Sequence, residues 1–86
     1  MIDTDNLFKR YGTFSISRKM IQEYPKMVMR LMSNVIIVKA SADYYTDSVR
    51  YYAYSEHFDL VAEGCGPVRY DVKTNGIDFM FMDITL

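Results

Sequence analysis

From Arg18 to Val35 apolar residues recur at helical spacing. On a wheel of 100° steps Met20, Ile21, Tyr24, Met27, Val28, Leu31, Met32 and Val35 share one arc. Arg18, Lys19, Gln22, Glu23, Lys26, Arg30 and Ser33 fall opposite, and only Met29 strays to the polar side. This is an amphipathic helix that buries one stripe. Ser17 precedes it as a cap, because its hydroxyl can accept from free backbone N–H groups. Pro25 lies inside the pattern and lacks the N–H that would bond Ile21. The pattern therefore predicts either a kink or a short helix over 18–24, with Pro25 opening a second to about Ser33. Asn34 is a suitable stop.

Downstream the period falls to two. Val35 to about Tyr44 and Ser48 to Ser55 read as a hairpin around Tyr45-Thr46-Asp47-Ser48. The register expected sets Asp43 against Arg50, Ala40 against Ala53 and Tyr44 against Val49, so that opposite charges face each other. One face then carries Ile36, Val38, Ala40, Ala42, Tyr44, Val49, Tyr51 and Ala53. The other carries Ile37, Lys39, Ser41, Asp43, Arg50, Tyr52 and Tyr54. Alanines let a helix approach closely, so the first face is assigned to the core.

A second hairpin follows. Val68, Tyr70 and Val72 alternate with Arg69, Asp71 and Lys73, and Asn75-Gly76 signals a type I′ turn. Ile77 to Ile84 returns, with Lys73 expected opposite Asp78, Val72 opposite Phe79 and Tyr70 opposite Phe81. Its core face is Val68, Tyr70, Val72, Ile77, Phe79 and Phe81. Its outer face is Arg69, Asp71, Lys73, Asp78, Met80 and Met82. Residues 1–12 read as a lead-in, Thr13 to Ile16 as a short strand, and 56–67 as a loop. The fold class is α+β: an antiparallel sheet of about four strands, made of two β-hairpins, with one amphipathic, Pro-interrupted helix on one face. Residues 1–86 are expected to form a single domain, and the pattern leaves the strand order open.

Composition narrows the functional classes. The chain has 86 residues and opens on Met1, which is read as a whole small protein. A chain of this size buries about 60–65% of its unfolded surface, so its core is thin. Cys65 is the single cysteine, so no intramolecular disulfide can staple the core. Self-association is a common remedy, and a homo-oligomer is expected. The aliphatic run Val35-Ile36-Ile37-Val38 is far below the roughly 20 residues of a membrane span. The acidic start is unlike a signal peptide, so a cytoplasmic location with no membrane partner is expected. Net charge is −1 but uneven: residues 1–39 sum to +4 and residues 40–86 to −5. Such halves can dock on each other or on a partner.

Two surfaces are candidate binding sites. The outer sheet face brings together Tyr52, Tyr54, Met80 and Met82, rimmed by Lys39, Arg50, Arg69 and Asp71. Large adaptable side chains inside a polar rim have the composition of a protein interface, and self-association is expected through this face. The bland alternative is that Leu7, Phe8 and Tyr11, or the 56–67 loop, cover that face. The helix stripe of Arg18, Lys19, Lys26 and Arg30 suits phosphates or an acidic protein. A negative total charge and Glu23 weigh against nucleic acid. Ser55, His57 and Asp59 have the residue types of a hydrolase triad, but at i, i+2 and i+4 on one extended segment they do not converge. One histidine and one cysteine give no zinc spacing, and Glu56, Asp59 and Glu63 do not form a calcium loop. Gly64-Cys65-Gly66 lacks the third glycine of a dinucleotide motif. No catalytic residue, metal or cofactor is expected.

The stretch from Phe14 to Val72 resembles small bacteriophage and prophage-encoded accessory proteins in general layout. The residues that carry this are Phe14-Ser15-Ile16-Ser17-Arg18-Lys19-Met20-Ile21, Pro25, Val35-Ile36-Ile37-Val38-Lys39-Ala40, Val49-Arg50-Tyr51-Tyr52-Ala53-Tyr54-Ser55, Phe58, Gly64 and Pro67-Val68-Arg69-Tyr70-Asp71-Val72. The resemblance implies a non-enzymatic protein that binds a host or phage protein in the host cytoplasm, inhibition being one way to act. It carries no catalytic residues with it.

Overall fold

The computed structural model describes residues 7–62 and 64–84. Residues 1–6 of the expected lead-in and Glu63 of the acidic loop lie outside them. The described chain is α+β. Strand β1 (Tyr11–Ser17) leads into helices α1 (Arg18–Glu23) and α2 (Pro25–Met32). Strands β2 (Ile36–Asp43), β3 (Ser48–Tyr54), β4 (Val68–Thr74) and β5 (Phe79–Asp83) follow. They form one five-stranded sheet in the order β2-β3-β1-β4-β5.

This corrects the four-stranded antiparallel expectation. The segment expected to supply a lead-in and a short strand is the middle of the sheet. β1 pairs antiparallel with β3 and parallel with β4, so the sheet is mixed. Gly12, Thr13, Phe14 and Ile16 are all buried. A strand flanked by two others is covered on both sides, and the local pattern does not announce this.

The helical stretch divides at Pro25. Ser17 Oγ accepts from Met20 N at 3.0 Å, and Pro25 opens α2. Asn34 donates to Arg30 O at 2.7 Å just beyond α2. Met27 and Leu31 are buried, with Met20, Val28, Met32 and Val35 packed around them. Ile21 and Tyr24, expected on the buried arc, are exposed.

Both hairpins form, and both registers differ from expectation by two residues. Asp43 faces Ser48, Ala40 faces Tyr51, Val72 faces Phe81 and Lys73 faces Met80. Because strand side chains alternate with period two, a shift of two leaves each residue on its expected face. An irregularity between Ile37 and Lys39 breaks that protection. With Val38 the extra residue of a bulge, Ile37 turns to the helix side opposite Ala53 and Ile36 to the outer side opposite Tyr54. Their expected faces are thereby exchanged. Tyr44 lies in the turn, 91% exposed, instead of in the core. Asp47 takes a positive φ of 51° there.

The second turn also departs from type I′. Asn75 has no positive φ; Gly76 alone does, at 92°. Asn75 Oδ1 accepts from Ile77 N and Asp78 N at 2.9 and 2.8 Å, widening the loop to four residues. Ile77 is consequently 73% exposed and leaves the core.

The core is aromatic. Phe58, from the loop after β3, stacks on Tyr70 at 4.6 Å and meets Phe81 edge-on at 4.8 Å. Phe14 closes the cluster at 5.2 Å from Phe81. Gly12 lies beneath, where a Cβ would come within 2.7 Å of Tyr70 and 2.8 Å of Phe58. Only a residue without a side chain admits those rings.

Candidate functional site

The outer face of the sheet, away from the helices, holds all four aromatic and methionine candidates. Tyr52 and Tyr54 project from β3, Met80 and Met82 from β5. They do not form one patch. β1 and β4 separate the two pairs, which is three strand spacings or roughly 14 Å. Tyr54 is also partly sheltered: Phe8 meets it edge-on at 5.3 Å and Tyr11 lies at 5.2 Å. Of the alternative, cover by the lead-in, the described residues thus show Phe8 and Tyr11 against Tyr54. Met80 and Met82 are 55% and 44% exposed.

Between the pairs runs a polar strip. Thr13 is buried at its centre, donating to Tyr51 O at 2.9 Å and accepting from Arg50 Nη1 at 3.3 Å. Outside this strip, on the far side of Tyr52, Lys39 Nζ of the edge strand β2 sits 5.6 Å from the centre of the Tyr52 ring, a cation–π contact. Thr13, Arg50, Tyr52, Pro67 and Arg69 line an open depression of about 380 Å³. Farther along β4, Lys73 pairs with Asp71 at 2.9 Å. The outer face is therefore a cationic strip with a tyrosine flank and a methionine flank, a division that two hairpins read separately do not reveal.

The helix stripe is partly neutralised by the protein itself. Arg18 pairs with Asp47 at 3.2 Å, and Arg30 with Asp78 at 3.2 Å. Both tie the basic half of the chain to the acidic half. Lys19 and Lys26 are exposed on the helix surface. The four cations are thus split between two helices, and two of them are engaged.

The triad residue types do not assemble. Ser55 is buried, donates to Asn34 O at 2.8 Å and accepts from His57 N at 3.1 Å. Its hydroxyl is a loop clamp. His57 Nε2 lies 3.4 Å from Asn34 Oδ1, and its ring stands against Phe79. Asp59 is held through its backbone N, which donates to the Tyr70 hydroxyl at 2.7 Å. Burial raises the Tyr70 pKa above the ordinary tyrosine value. Cys65 is exposed and unbridged. Among the described residues, no three His, Cys, Asp or Glu side chains cluster as a metal site, and no helix is long and apolar enough to cross a membrane.

No family model, curated protein or solved structure matches the chain.

Proposed function

We propose that the chain is a non-enzymatic protein-binding module whose outer sheet face docks on a protein partner. One observation carries this reading. Both helices lie on the same side of the sheet, and the opposite side presents Arg50, Arg69 and Tyr52 around Thr13, with Met80 and Met82 exposed beyond them. Aromatic, methionine and arginine side chains are the residue types enriched where proteins meet. The cationic strip favours a partner that brings carboxylates, and the methionines favour one with an apolar shoulder. The resemblance to phage accessory proteins implies binding of a host or phage protein in the host cytoplasm. Inhibition is one mode of action open to such a chain.

The test is capture of a partner from bacterial lysate, then titration of the purified pair. Arg50→Glu and the double change Met80→Glu, Met82→Glu each weaken binding at least about tenfold, the scale of an interface hot spot. Lys26→Glu leaves it unchanged. Normal binding by the sheet variants with loss in Lys26→Glu would move the site to the helix. Capture of DNA or RNA that salt releases would replace a protein partner with nucleic acid.

A further inference from the structure

The most exposed regular element is neither the outer face nor a helix. All eight residues of β2 are solvent-exposed, on both faces. Among the described residues β2 is an edge strand whose one strand neighbour is β3, so every second residue turns its N–H and C=O away from the sheet. Its helix side is apolar, with Ile37, Ala40 and Ala42, and neither helix covers it.

We propose that β2 is a self-recognition edge: two copies of this chain pair antiparallel about a twofold axis at Ser41, joining their sheets into one of ten strands. The occupant follows from the pattern of the strand. In a symmetric antiparallel pair the axis must pass through a residue, so that outer faces meet outer faces. An axis at Ser41 sets Lys39 opposite the partner's Asp43, Ala40 opposite the partner's Ala42, and Ser41 opposite its twin. Symmetry repeats the Lys39–Asp43 pair. An axis at Ala40 sets Ile37 against Asp43 and Lys39 against Ser41. An axis at Lys39 sets two lysines on each other, and one at Ala42 sets Asp43 against Ser41. Only Ser41 pairs opposite charges.

A second observation selects the same axis. The irregularity after Ile37 ends the even ladder, leaving Lys39–Asp43 as the regular stretch, and Ser41 is its midpoint. Because the twofold uses the same edge of both copies, the pairing closes as a dimer instead of growing into an open stack. Asp43 is held as a carboxylate: hydrogen bonds from the Thr46 side chain and from the backbone N–H groups of Tyr45 and Thr46 in its own turn lower its pKa. The other edge lacks this self-complementarity. β5, folded on itself about Phe81, would set Phe79 against Asp83. Since β2 does not cover the face assigned to a heterologous partner, dimerisation and partner binding can fail separately.

The test uses the full chain. In a Cys65→Ser background, Ser41→Cys places two thiols across the axis. Directly opposed residues of an antiparallel pair have Cα atoms about 4.5–5.5 Å apart, inside the disulfide range. The expected result under mild oxidation is a covalent dimer. Lys39→Cys in the same background does not crosslink, because it lies roughly 13 Å from its twin. By sedimentation, Lys39→Asp alone and Asp43→Lys alone each dimerise at least about tenfold more weakly than the parent. Mixed one to one, they recover the parent's association. The crosslinking pair stands even if Asp43→Lys disturbs the turn that Asp43 caps. A parent chain that stays monomeric at every concentration overturns the proposal. So does a dimer that Ser41→Cys fails to crosslink.

Discussion

The two hairpins are built alike and treated unlike. β4–β5 lies in the half of the sheet that packs against the helices and the Phe58 loop, and its helix side supplies Tyr70, Val72, Phe79 and Phe81 to the core. β2–β3 supplies Ala53 and part of Tyr51, while β2 itself stays bare. The difference lies in side-chain size. Burial is worth free energy in proportion to apolar area, so the short helices settle where the rings are. Ala40 and Ala42 offer easy approach but little area to cover. Arg30 adds a surface contact at the rim, reaching Asp78 at 3.2 Å and Ile77 O at 3.4 Å beside the β4–β5 turn.

This asymmetry can be broken by substitution. Phe58→Ala, which empties the ring cluster, should cost about 3–5 kcal/mol. That lowers the melting temperature by more than about 12 °C in a domain of this size, readable by circular dichroism. Gly12→Ala should cost about 1–3 kcal/mol by forcing a methyl into the same rings. Ser55→Ala leaves Asn34 O and His57 N without their partner and should also cost about 1–3 kcal/mol. In the open half, Ala42→Ser should change stability by less than about 0.5 kcal/mol. A loss there as large as that from Phe58→Ala would show that the alanines are covered after all.

A pH effect sharpens the same contrast. Burial raises the Tyr70 pKa in the folded chain above its ordinary 10.0. The unfolded chain ionises first, so the stabilising contribution is whole below about pH 10 and is lost as pH climbs through the raised folded value. Alkaline melting curves should therefore fall more steeply for the parent than for Tyr70→Phe.

Much of this architecture is legible in the chain, for physical reasons. Alternation marks both hairpins, and the Ser17 cap and Pro25 break mark the helices. The outer-face positions of Tyr52, Tyr54, Met80 and Met82 survive registers wrong by two because the side-chain period is two. Ile36 and Ile37 do not survive, since a bulge shifts the count by one and no residue type announces it. β1 is legible only as the short strand over Thr13 to Ile16; its central place is not, because its neighbours are distant in sequence: Tyr54 pairs with Tyr11, and Val68 lies beside Gly12. The Asn75-Gly76 signal misleads because the Asn75 side chain takes the two N–H groups that a tighter turn would leave to the backbone. The split of the outer face into a tyrosine flank and a methionine flank depends on strand order, which local alternation does not encode.

The helices close one half of the sheet and leave the other open. Amide hydrogen exchange in dilute protein compares the two edge strands most directly, with β2 over Ile36–Asp43 and β5 over Phe79–Asp83. Local opening is easiest where few apolar contacts must be broken. We predict that β2 exchanges well before β5 when dilute and gains protection as concentration rises. Equal protection of the two edges in dilute solution would mean that β2 is closed over as fully as β5.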